Sequence, residues 1–399
     1  MKNCFYGQIY LYILSLFLFV MTIYLVIFFC SLVFACIANK YRSERILFYI
    51  FSVLTLFPTS FLAGIRNPGV GSDTTTYLTP WWSTFCNIKS FDQLLTMYNG
   101  HLFDDLELGY VILNYLTSRV STSEFAIYFV TNALFSISVL WAIIKSKSPL
   151  PFAWCLFLFN YYNFSFNIIR QSISMGFCLL ALIYLYNRKL LYVLIFTIMS
   201  ASFHQVGYIT IAILLYISFI VWLSKKYGIK KSASILFSFI IFILLFFNII
   251  ISFLMNNDFL SMRYLRYFNM EDDGTILTSY VLYYIFIGYI YFYSYKLCIN
   301  QRKEIFIFSS IHLLGFLLCL SSFITYTMYR LSSYPLLISL VIFLPIVIQY
   351  SKEYNMLKYK RLKYSTISLS FLFWLYIIVI RGEHETVPFK SKIIDLILN

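Results

Sequence analysis

The residues of this chain that could do chemistry lie in short polar segments between long apolar runs. The first such segment spans residues 64–77, with the sequence GIRNPGVGSDTTTY, and its glycines and proline prevent a helix from continuing. It carries Arg66 and Asp73, seven residues apart. A guanidinium can bind an oxyanion through two parallel hydrogen bonds, and a carboxylate can accept a proton. This segment is therefore the first candidate for a reactive site.

Arginine is unevenly distributed among the segments that connect the apolar runs. Alternate segments are rich in lysine, with 14 lysines and five arginines, whereas the others carry seven arginines and only four lysines. Orientation in a membrane needs positive charge of either kind, so this excess of arginine indicates a need for planar, two-point donors. Phosphate or pyrophosphate is the obvious partner. The seven arginines are Arg66, Arg119, Arg170, Arg263, Arg266, Arg330 and Arg381.

Two of these arginines stand at the ends of predicted membrane helices. Arg170 and Gln171 open an apolar helix, whose first N–H groups and positive dipole end would favour an anion. Arg330 lies about four residues inside its apolar run, where a charge is costly to bury. For any one of these arginines, extension to the interface or pairing with a local acid is an alternative interpretation.

Three further residues are candidates for proton transfer. His204 ends an apolar run, where an imidazole could titrate and reach a hydroxyl, or could simply be a satisfied helix-end histidine. Asp73 follows the glycine turn, and Glu107 precedes a short amphipathic segment that starts at Leu108. His312 falls in the middle of an apolar run, which favours a packing or hydrogen-bonding role. The pattern favours Asp73 and Glu107 over the remaining acids, which read as solvated.

The composition identifies the elements that must position these residues as membrane helices. Hydrophobic residues make up 61% of the 399 residues and charged residues 12%, and several apolar runs reach the roughly 20 residues that span a bilayer. We predict an all-α polytopic protein with a single transmembrane domain over residues 1–399 and outer loops near 64–122 and 256–278. The runs near 149 and 190 are short enough to be re-entrant. The twelve predicted spans are 9–37, 46–63, 123–144, 149–162, 168–187, 190–204, 206–223, 232–255, 279–297, 304–323, 326–350 and 365–381.

The charge pattern predicts the orientation of these spans. The lysine-rich segments hold 19 of the 30 basic residues and three of the 16 acidic residues, so the positive-inside rule places them in the cytoplasm. Both termini and the candidate residues then lie on the outer side. The net charge of +14 therefore reflects topology rather than binding to nucleic acid.

The sequence also lacks several familiar sites. Histidines, cysteines and carboxylates do not occur at metal-ligand spacing, and the glycines of the first segment are not followed by the Gly-Lys-Ser/Thr of a P-loop. We therefore expect no metal and no cofactor. An enzyme on the outer face has no ATP, so its substrate must arrive already activated.

The ordered motifs resemble those of EpsG-type, Wzy-like bacterial polysaccharide polymerases, over most of the chain from its first span to about residue 334. Two arginine-containing segments, Arg263 to Tyr267 and Tyr329 to Leu331, are similar to later motifs of that family. Pro68 departs from its pattern. The main motifs that carry the resemblance are Ile65 to Tyr77, Glu107 to Tyr110, Asn167 to Ser172 and Ala201 to His204.

The resemblance implies a multi-helix glycosyltransferase related to the C-type class in the bacterial cytoplasmic (inner) membrane. Its substrate would be an oligosaccharide repeat unit on undecaprenyl pyrophosphate, and its product a surface polysaccharide such as the O-antigen of lipopolysaccharide. A chain-length regulator is a possible partner. On this basis Arg66, Arg170 with Gln171, and Arg330 would bind pyrophosphate, with Arg263 and Arg266 as secondary contacts. Asp73 or His204 would be the base, with Glu107 as a third candidate.

Two other functions would use the same lipid-linked substrate. A flippase would carry ionisable groups through both leaflets and two related halves, which this sequence does not show. An O-antigen ligase would share the outer arginines and histidine and would differ only in its acceptor.

Overall fold

The described residues of the chain are almost entirely helical. The structure is a computed structural model, and it describes residues 2–103, 106–236, 238, 274–323 and 327–398. Within those ranges, extended backbone pairs at one place, an isolated bridge between Gly69 and Gly71. The predicted all-α class is therefore confirmed.

The chain divides into two compact units. The first comprises residues 1–208 and 365–399, and the second comprises residues 209–364. The first unit contains ten helices before residue 208: α1 (Lys2–Lys40), α2 (Arg45–Gly64), α3 (Thr79–Asn87), α4 (Phe91–Asn99), α5 (Leu108–Val120), α6 (Glu124–Lys145), α7 (Leu150–Phe157), α8 (Phe164–Asn167), α9 (Ile169–Tyr186) and α10 (Leu190–Phe203).

The second unit contains the helices α11 to α15 and the first residues of α16, and α17 belongs to the first unit. The helix α16 begins at the end of the second unit and continues into the first. In the described part of the chain, short π-helical segments adjoin four helices: Thr74–Leu78 before α3, Leu158–Tyr162 after α7, Ile338–Phe343 and Leu375–Ile380. The later helices are α11 (Ile209–Lys226), α12 (Gly274–Leu297), α13 (Arg302–Ser321), α14 (Thr327–Leu337), α15 (Leu344–Tyr354), α16 (Met356–Trp374) and α17 (Lys392–Leu398).

Nine helical segments in the described part of the chain are long and apolar enough to cross a membrane. They correspond to nine of the twelve predicted spans. Of the other three, the run near 190 forms the shorter apolar helix α10, the run near 149 forms α7 with its π-helical extension, and the run 232–255 lies almost wholly outside the described residues. The nine are Met21–Lys40, Arg45–Gly64, Glu124–Lys145, Ile169–Tyr186, Gln205–Lys226, Ile276–Leu297, Arg302–Ser321, Met328–Tyr354 and Met356–Ile380.

The helix α6 shows how the sequence sets the ends of these elements. Its N-cap is Ser123, whose hydroxyl accepts a hydrogen bond from the amide of Phe125 at 3.3 Å. Glu124 in the first turn and Lys145 in the last turn complement the helix dipole. The apolar residues between them are free to face lipid or neighbouring helices.

The helix α9 is the most enclosed candidate span of the first unit. It packs against α6 and α10, and the Ser174 hydroxyl donates to the Ser200 carbonyl oxygen of α10 at 2.7 Å. The aromatic side chains of α1, the α7 extension and α16 form an adjacent cluster in which Phe28 contacts Tyr162 at 5.3 Å and Trp374 at 5.8 Å between ring centroids. The helix that carries Arg170 is therefore held by packing on α6 and α10.

Candidate functional site

The polar segment after α2 is a tight loop pressed against the start of α9. The amide of Gly69 donates to the Thr74 hydroxyl at 2.8 Å, and that hydroxyl donates to the Gly71 carbonyl oxygen at 2.7 Å. Gly71 has a φ of +85°, and a Cβ there would stand 2.2 Å from the carbonyl oxygen of Phe166. Only glycine fits this conformation and this approach. The turn predicted from the glycines is thus explained by contact with residues almost a hundred positions away.

Arg66 is buried between aromatic rings. Its guanidinium carbon lies 4.4 Å from the ring centroid of Phe166 and 4.9 Å from that of Tyr128, and the residue is 4% exposed. Its Nε and Nη1 atoms are buried, and no described residue accepts a hydrogen bond from them. Burial lowers the pKa of Arg66, and nearby tyrosines partly offset this effect. Two rings stabilise the cation, but its N–H groups have no protein acceptor within the described residues.

Asp73 caps the helix α9. Its Oδ2 accepts a hydrogen bond from the amide of Ile169, the first residue of the helix, at 2.9 Å. The first N–H groups of a helix have no acceptor within the helix, and the Asp73 carboxylate supplies one for α9. The positive end of the helix dipole in turn stabilises this carboxylate. The helix start does favour an anion, as the sequence predicted, but in this structure the anion is the chain's own Asp73.

Arg170 and Glu107 form an ion pair. Nη1 of Arg170 donates to Oε2 of Glu107 at 2.6 Å, with 8% of the arginine side chain and 21% of the glutamate side chain exposed. The guanidinium also lies over the ring of Tyr77, at 4.1 Å from its centroid. A charge-assisted bond of this length fixes the arginine in one position. The first helical turn of α9 is thereby tied to the start of α5.

Glu107 also reaches the link after α10. Its Oε1 accepts a hydrogen bond from the amide of Gln205 at 2.9 Å. The helices can approach so closely because Gly109 lacks a side chain, since a Cβ there would stand 2.7 Å from the carbonyl oxygen of Ser202. Both oxygens of Glu107 therefore bind donors of the protein, and the carboxylate joins α5, α9 and the end of α10.

His204 lies at the end of α10 beside this junction and is partly buried. Its Nδ1 accepts a hydrogen bond from the amide of Val206 at 3.1 Å. A neutral imidazole that accepts at Nδ1 carries its proton on Nε2, which is then a donor and not a proton acceptor. This contact fits the helix-end interpretation of His204.

The C-terminal tail also holds the loop that carries Arg66 and Asp73. The amide of Asn67 donates to the Lys390 carbonyl oxygen at 2.9 Å, and the amide of Gly71 donates to the Glu385 carbonyl oxygen at 3.0 Å. The tail is anchored in turn by Asn163, whose Nδ2 donates to the Thr386 hydroxyl at 2.9 Å. The last residues of the chain are therefore part of the site's framework.

Six of the predicted site residues meet in the first unit. They come from the loop after α2, the start of α5, the start of α9 and the link after α10. Gln171 belongs to this group as a buried residue of the first turn of α9, with 1% exposed. The six are Arg66, Asp73, Glu107, Arg170, Gln171 and His204.

The other predicted arginines belong to the second unit or lie outside the described residues. Arg330 belongs to the second unit, where it is partly buried in α14. Arg263 and Arg266 lie outside the described residues, as does most of the predicted loop 256–278. His312 is fully enclosed in the second unit, with Nε2 2.9 Å from the Tyr284 carbonyl oxygen, so its predicted hydrogen-bonding role is confirmed.

Several residues of the site were not singled out from the sequence. Tyr77, Tyr128 and Phe166 supply the rings that face the two arginines, and Tyr110 lies among the charged groups. Spacing could have found two of them, because Tyr77 is four residues after Asp73 and Tyr110 three after Glu107, which places each pair on one helical face. Tyr128 and Phe166 face Arg66 from 62 and 100 residues further along the chain, so spacing gives no signal for them.

Comparison with known proteins identifies the family of this chain. No curated protein and no solved structure matches the chain significantly. A family model does match, over residues 48–391, a range that includes α5, α9, the loop after α2 and most of the C-terminal tail. Since that match covers most of the chain, the protein belongs to the EpsG family.

Proposed function

We propose that this protein polymerises oligosaccharide repeat units carried on undecaprenyl pyrophosphate, at the outer face of the bacterial cytoplasmic membrane. Membership of the EpsG family indicates a membrane protein with a polysaccharide-polymerase-like role. The proposal adds the lipid-linked substrate and the place of the reaction, with O-antigen or a similar surface polysaccharide as product.

One observation carries the proposal. The ion pair of Arg170 and Glu107, the helix cap Asp73 and the buried Arg66 come together from four separate segments of the first unit. Among the described residues, Arg66 forms neither an ion pair nor a hydrogen bond through its Nε and Nη1. A buried cation with unused donors is costly unless something binds it. An oxyanion such as pyrophosphate would satisfy it.

The reaction we propose is a single displacement. A hydroxyl oxygen of the incoming lipid-linked unit attacks the anomeric carbon of the growing chain, and the bond from that carbon to the pyrophosphate oxygen breaks. The acceptor proton goes to a base, and the lipid pyrophosphate leaves with the bonding electrons. Arg66 and Arg170 stabilise the charge that develops on the leaving pyrophosphate. The Arg330 contact predicted from the sequence is tested by substitution below.

Asp73 is the base that the geometry supports best. The amide of Ile169 holds the Asp73 carboxylate at the start of α9, within electrostatic range of Arg170. Glu107 is held by donors at both oxygens, which suits it to positioning Arg170. His204 accepts at Nδ1, so its neutral ring carries the proton on Nε2, which cannot then take up another. We therefore favour Asp73 over His204 as the base.

A reconstituted reaction tests the proposal. Purified protein is mixed with a defined lipid-linked repeat unit, and the products are separated by size. We expect a ladder of chain lengths from the wild type and only single units from Arg170→Ala and Arg330→Ala. Arg361→Ala is the matched control, because Arg361 is exposed and belongs to the predicted cytoplasmic side.

The two rival functions predict different products in the same assay. A flippase would form no glycosidic bond, and an O-antigen ligase would extend nothing unless a lipid A core were added. A normal ladder from both arginine variants would remove the arginines from the mechanism while leaving polymerisation intact.

A further inference from the structure

The hydroxyl of Tyr110 is a buried polar group with no assigned role. Tyr110 is 0% exposed at the start of α5, and its hydroxyl forms no hydrogen bond with the described residues. The side chain of Asn114 lies near the phenol and lowers its pKa, but its Nδ2 donates to the Tyr110 carbonyl oxygen at 2.8 Å. Buried tyrosine hydroxyls usually find a partner, so this one indicates a ligand that is bound during function.

Tyr110 lies among the charged groups of the site. The guanidinium carbon of Arg170 is 6.0 Å from its ring centroid. Burial raises the pKa of Tyr110, while the charges of Arg170 and Arg66 lower it and that of Asp73 raises it further. The phenol therefore stays protonated at neutral pH and can donate a hydrogen bond. Both arginines act electrostatically on this phenol, so the three groups belong to one site.

Three buried atoms beside Arg66 and Tyr110 can donate a hydrogen bond and have no partner among the described residues. They are Nε and Nη1 of Arg66 and the hydroxyl of Tyr110. The charge of Arg170 is balanced by Glu107, whereas Arg66 has only tyrosines as its main electrostatic partners. These donors favour a ligand whose atoms accept hydrogen bonds. The one uncompensated positive charge favours a ligand that is negatively charged. A phosphate oxygen meets both conditions, and a cation meets neither.

We propose that Tyr110 and Arg66 bind the same phosphate group of the pyrophosphate, with the Tyr110 hydroxyl donating to one of its oxygens. This inference rests on the proposed function, and it adds a substrate-binding residue. Tyr110 contributes to binding without taking part in proton transfer, because its hydroxyl remains protonated throughout.

Thermal unfolding of the purified full chain in lipid nanodiscs tests this role. Two probes are titrated, inorganic pyrophosphate and undecaprenyl pyrophosphate, so that recognition of the headgroup alone is separated from recognition of the lipid. For Tyr110→Phe we expect an unfolding midpoint at or above that of the wild type, because the variant loses a polar atom without a partner. We expect its Kd for pyrophosphate to rise about tenfold, as loss of one hydrogen bond to a charged group would produce.

Tyr291→Phe is the matched control. Tyr291 is equally buried, but its hydroxyl donates to the Ser339 carbonyl oxygen at 2.9 Å in the second unit. We expect this variant to lower the unfolding midpoint and to leave the Kd unchanged. The two tyrosines should therefore respond in opposite ways.

The remaining outcomes decide against the inference. If Tyr110→Phe binds both probes as tightly as the wild type, Tyr110 does not contact phosphate, although the proposed function stands. If the variant unfolds at a clearly lower temperature, the hydroxyl has a structural partner such as Asn114. If neither probe stabilises the wild type, both this inference and the proposed pyrophosphate site fail.

Discussion

Arg66 and Arg170 are both buried arginines of one site, but they are stabilised differently. Arg170 has a carboxylate partner at 2.6 Å, whereas Arg66 is held by two aromatic rings and has N–H groups without a protein acceptor among the described residues. Retaining an unpaired buried charge costs stability, which a protein tolerates where the charge is needed for function. The two arginines should therefore respond differently to substitution.

Replacing Arg66 with methionine tests the idea that its charge is kept for the ligand. Methionine is flexible, apolar and of similar length, so Arg66→Met removes a buried charge and can be neutral or stabilising by about 1 to 4 kcal/mol. Polymer synthesis should be lost. Thermal unfolding and the size ladder are measured on the same preparations, and a strongly destabilised variant would mean that Arg66 is mainly structural.

The ion pair of Arg170 and Glu107 predicts a non-additive pair of substitutions. Glu107→Gln and Arg170→Gln should each destabilise the protein, because each leaves a mostly buried partner without its counter-charge. The double variant should lose less unfolding free energy than the two single variants together, by about 1 to 3 kcal/mol. A double-mutant cycle of unfolding midpoints measures this, and strictly additive losses would show that the pair contributes no coupling.

The sequence was informative about residues whose type is unusual for their surroundings. Arg66, Asp73, Glu107, Arg170 and His204 could each be selected because charged or titratable groups are rare in this chain. Their partners could not be predicted, since the pairing of Glu107 with Arg170 and with Gln205 depends on how helices approach one another. The sequence also could not show that Asp73 caps the start of α9. The first N–H groups of that helix had been expected to bind an anionic ligand.

At the scale of elements, the site depends on the start of α9. Its first amide is capped by Asp73, its first turn is tied to α5 through Glu107, and its sides pack against α6 and α10. The loop after α2 fits there because Gly71 can approach the carbonyl oxygen of Phe166. A turn could be predicted from the glycines, but its partner segment could not, because nothing in the loop's own sequence specifies a contact so distant along the chain.

Asp73 combines a cap and a proposed base, and two substitutions separate these roles. Asparagine caps helices about as well as aspartate, so Asp73→Asn should preserve stability, whereas Asp73→Ala should cost about 0.5 to 2 kcal/mol. Both should reduce turnover by about 100-fold or more, because neither side chain can take up the acceptor proton. Turnover of Asp73→Asn close to wild type would leave Asp73 as a cap alone.

At the scale of the whole molecule, composition and hydropathy were sufficient to predict an all-α fold with membrane-spanning helices. Nine of the predicted spans reappear as candidate membrane helices among the described residues, because an apolar run of about 20 residues has few other stable structures. The division into two compact units was not predicted, since the sequence shows no composition shift or linker at residue 209 or 365. The C-terminal tail, which had only a weak motif, contributes to the framework of the site through backbone hydrogen bonds.

The orientation predicted from charge can be checked with reporters at both ends of the chain. If both termini lie outside, an alkaline phosphatase fused to either end should be active and a green fluorescent protein at either end should be dark. Insertion of the same reporters after Lys231, in a lysine-rich segment, provides the opposite control. Cytoplasmic signals at either terminus would contradict the predicted topology and place the site on the side where nucleotides are present.

The central claim is that this site transfers glycosyl groups between lipid-linked units. It is tested most directly in proteoliposomes that contain only the purified protein and one defined undecaprenyl-pyrophosphate-linked repeat unit, without nucleotide or metal, by measuring product length and released undecaprenyl pyrophosphate together. The wild type should yield a ladder and release one lipid pyrophosphate for each bond formed, and Arg66→Met should yield neither. Movement of intact single units across the bilayer with no bond formed would contradict the account and favour a flippase.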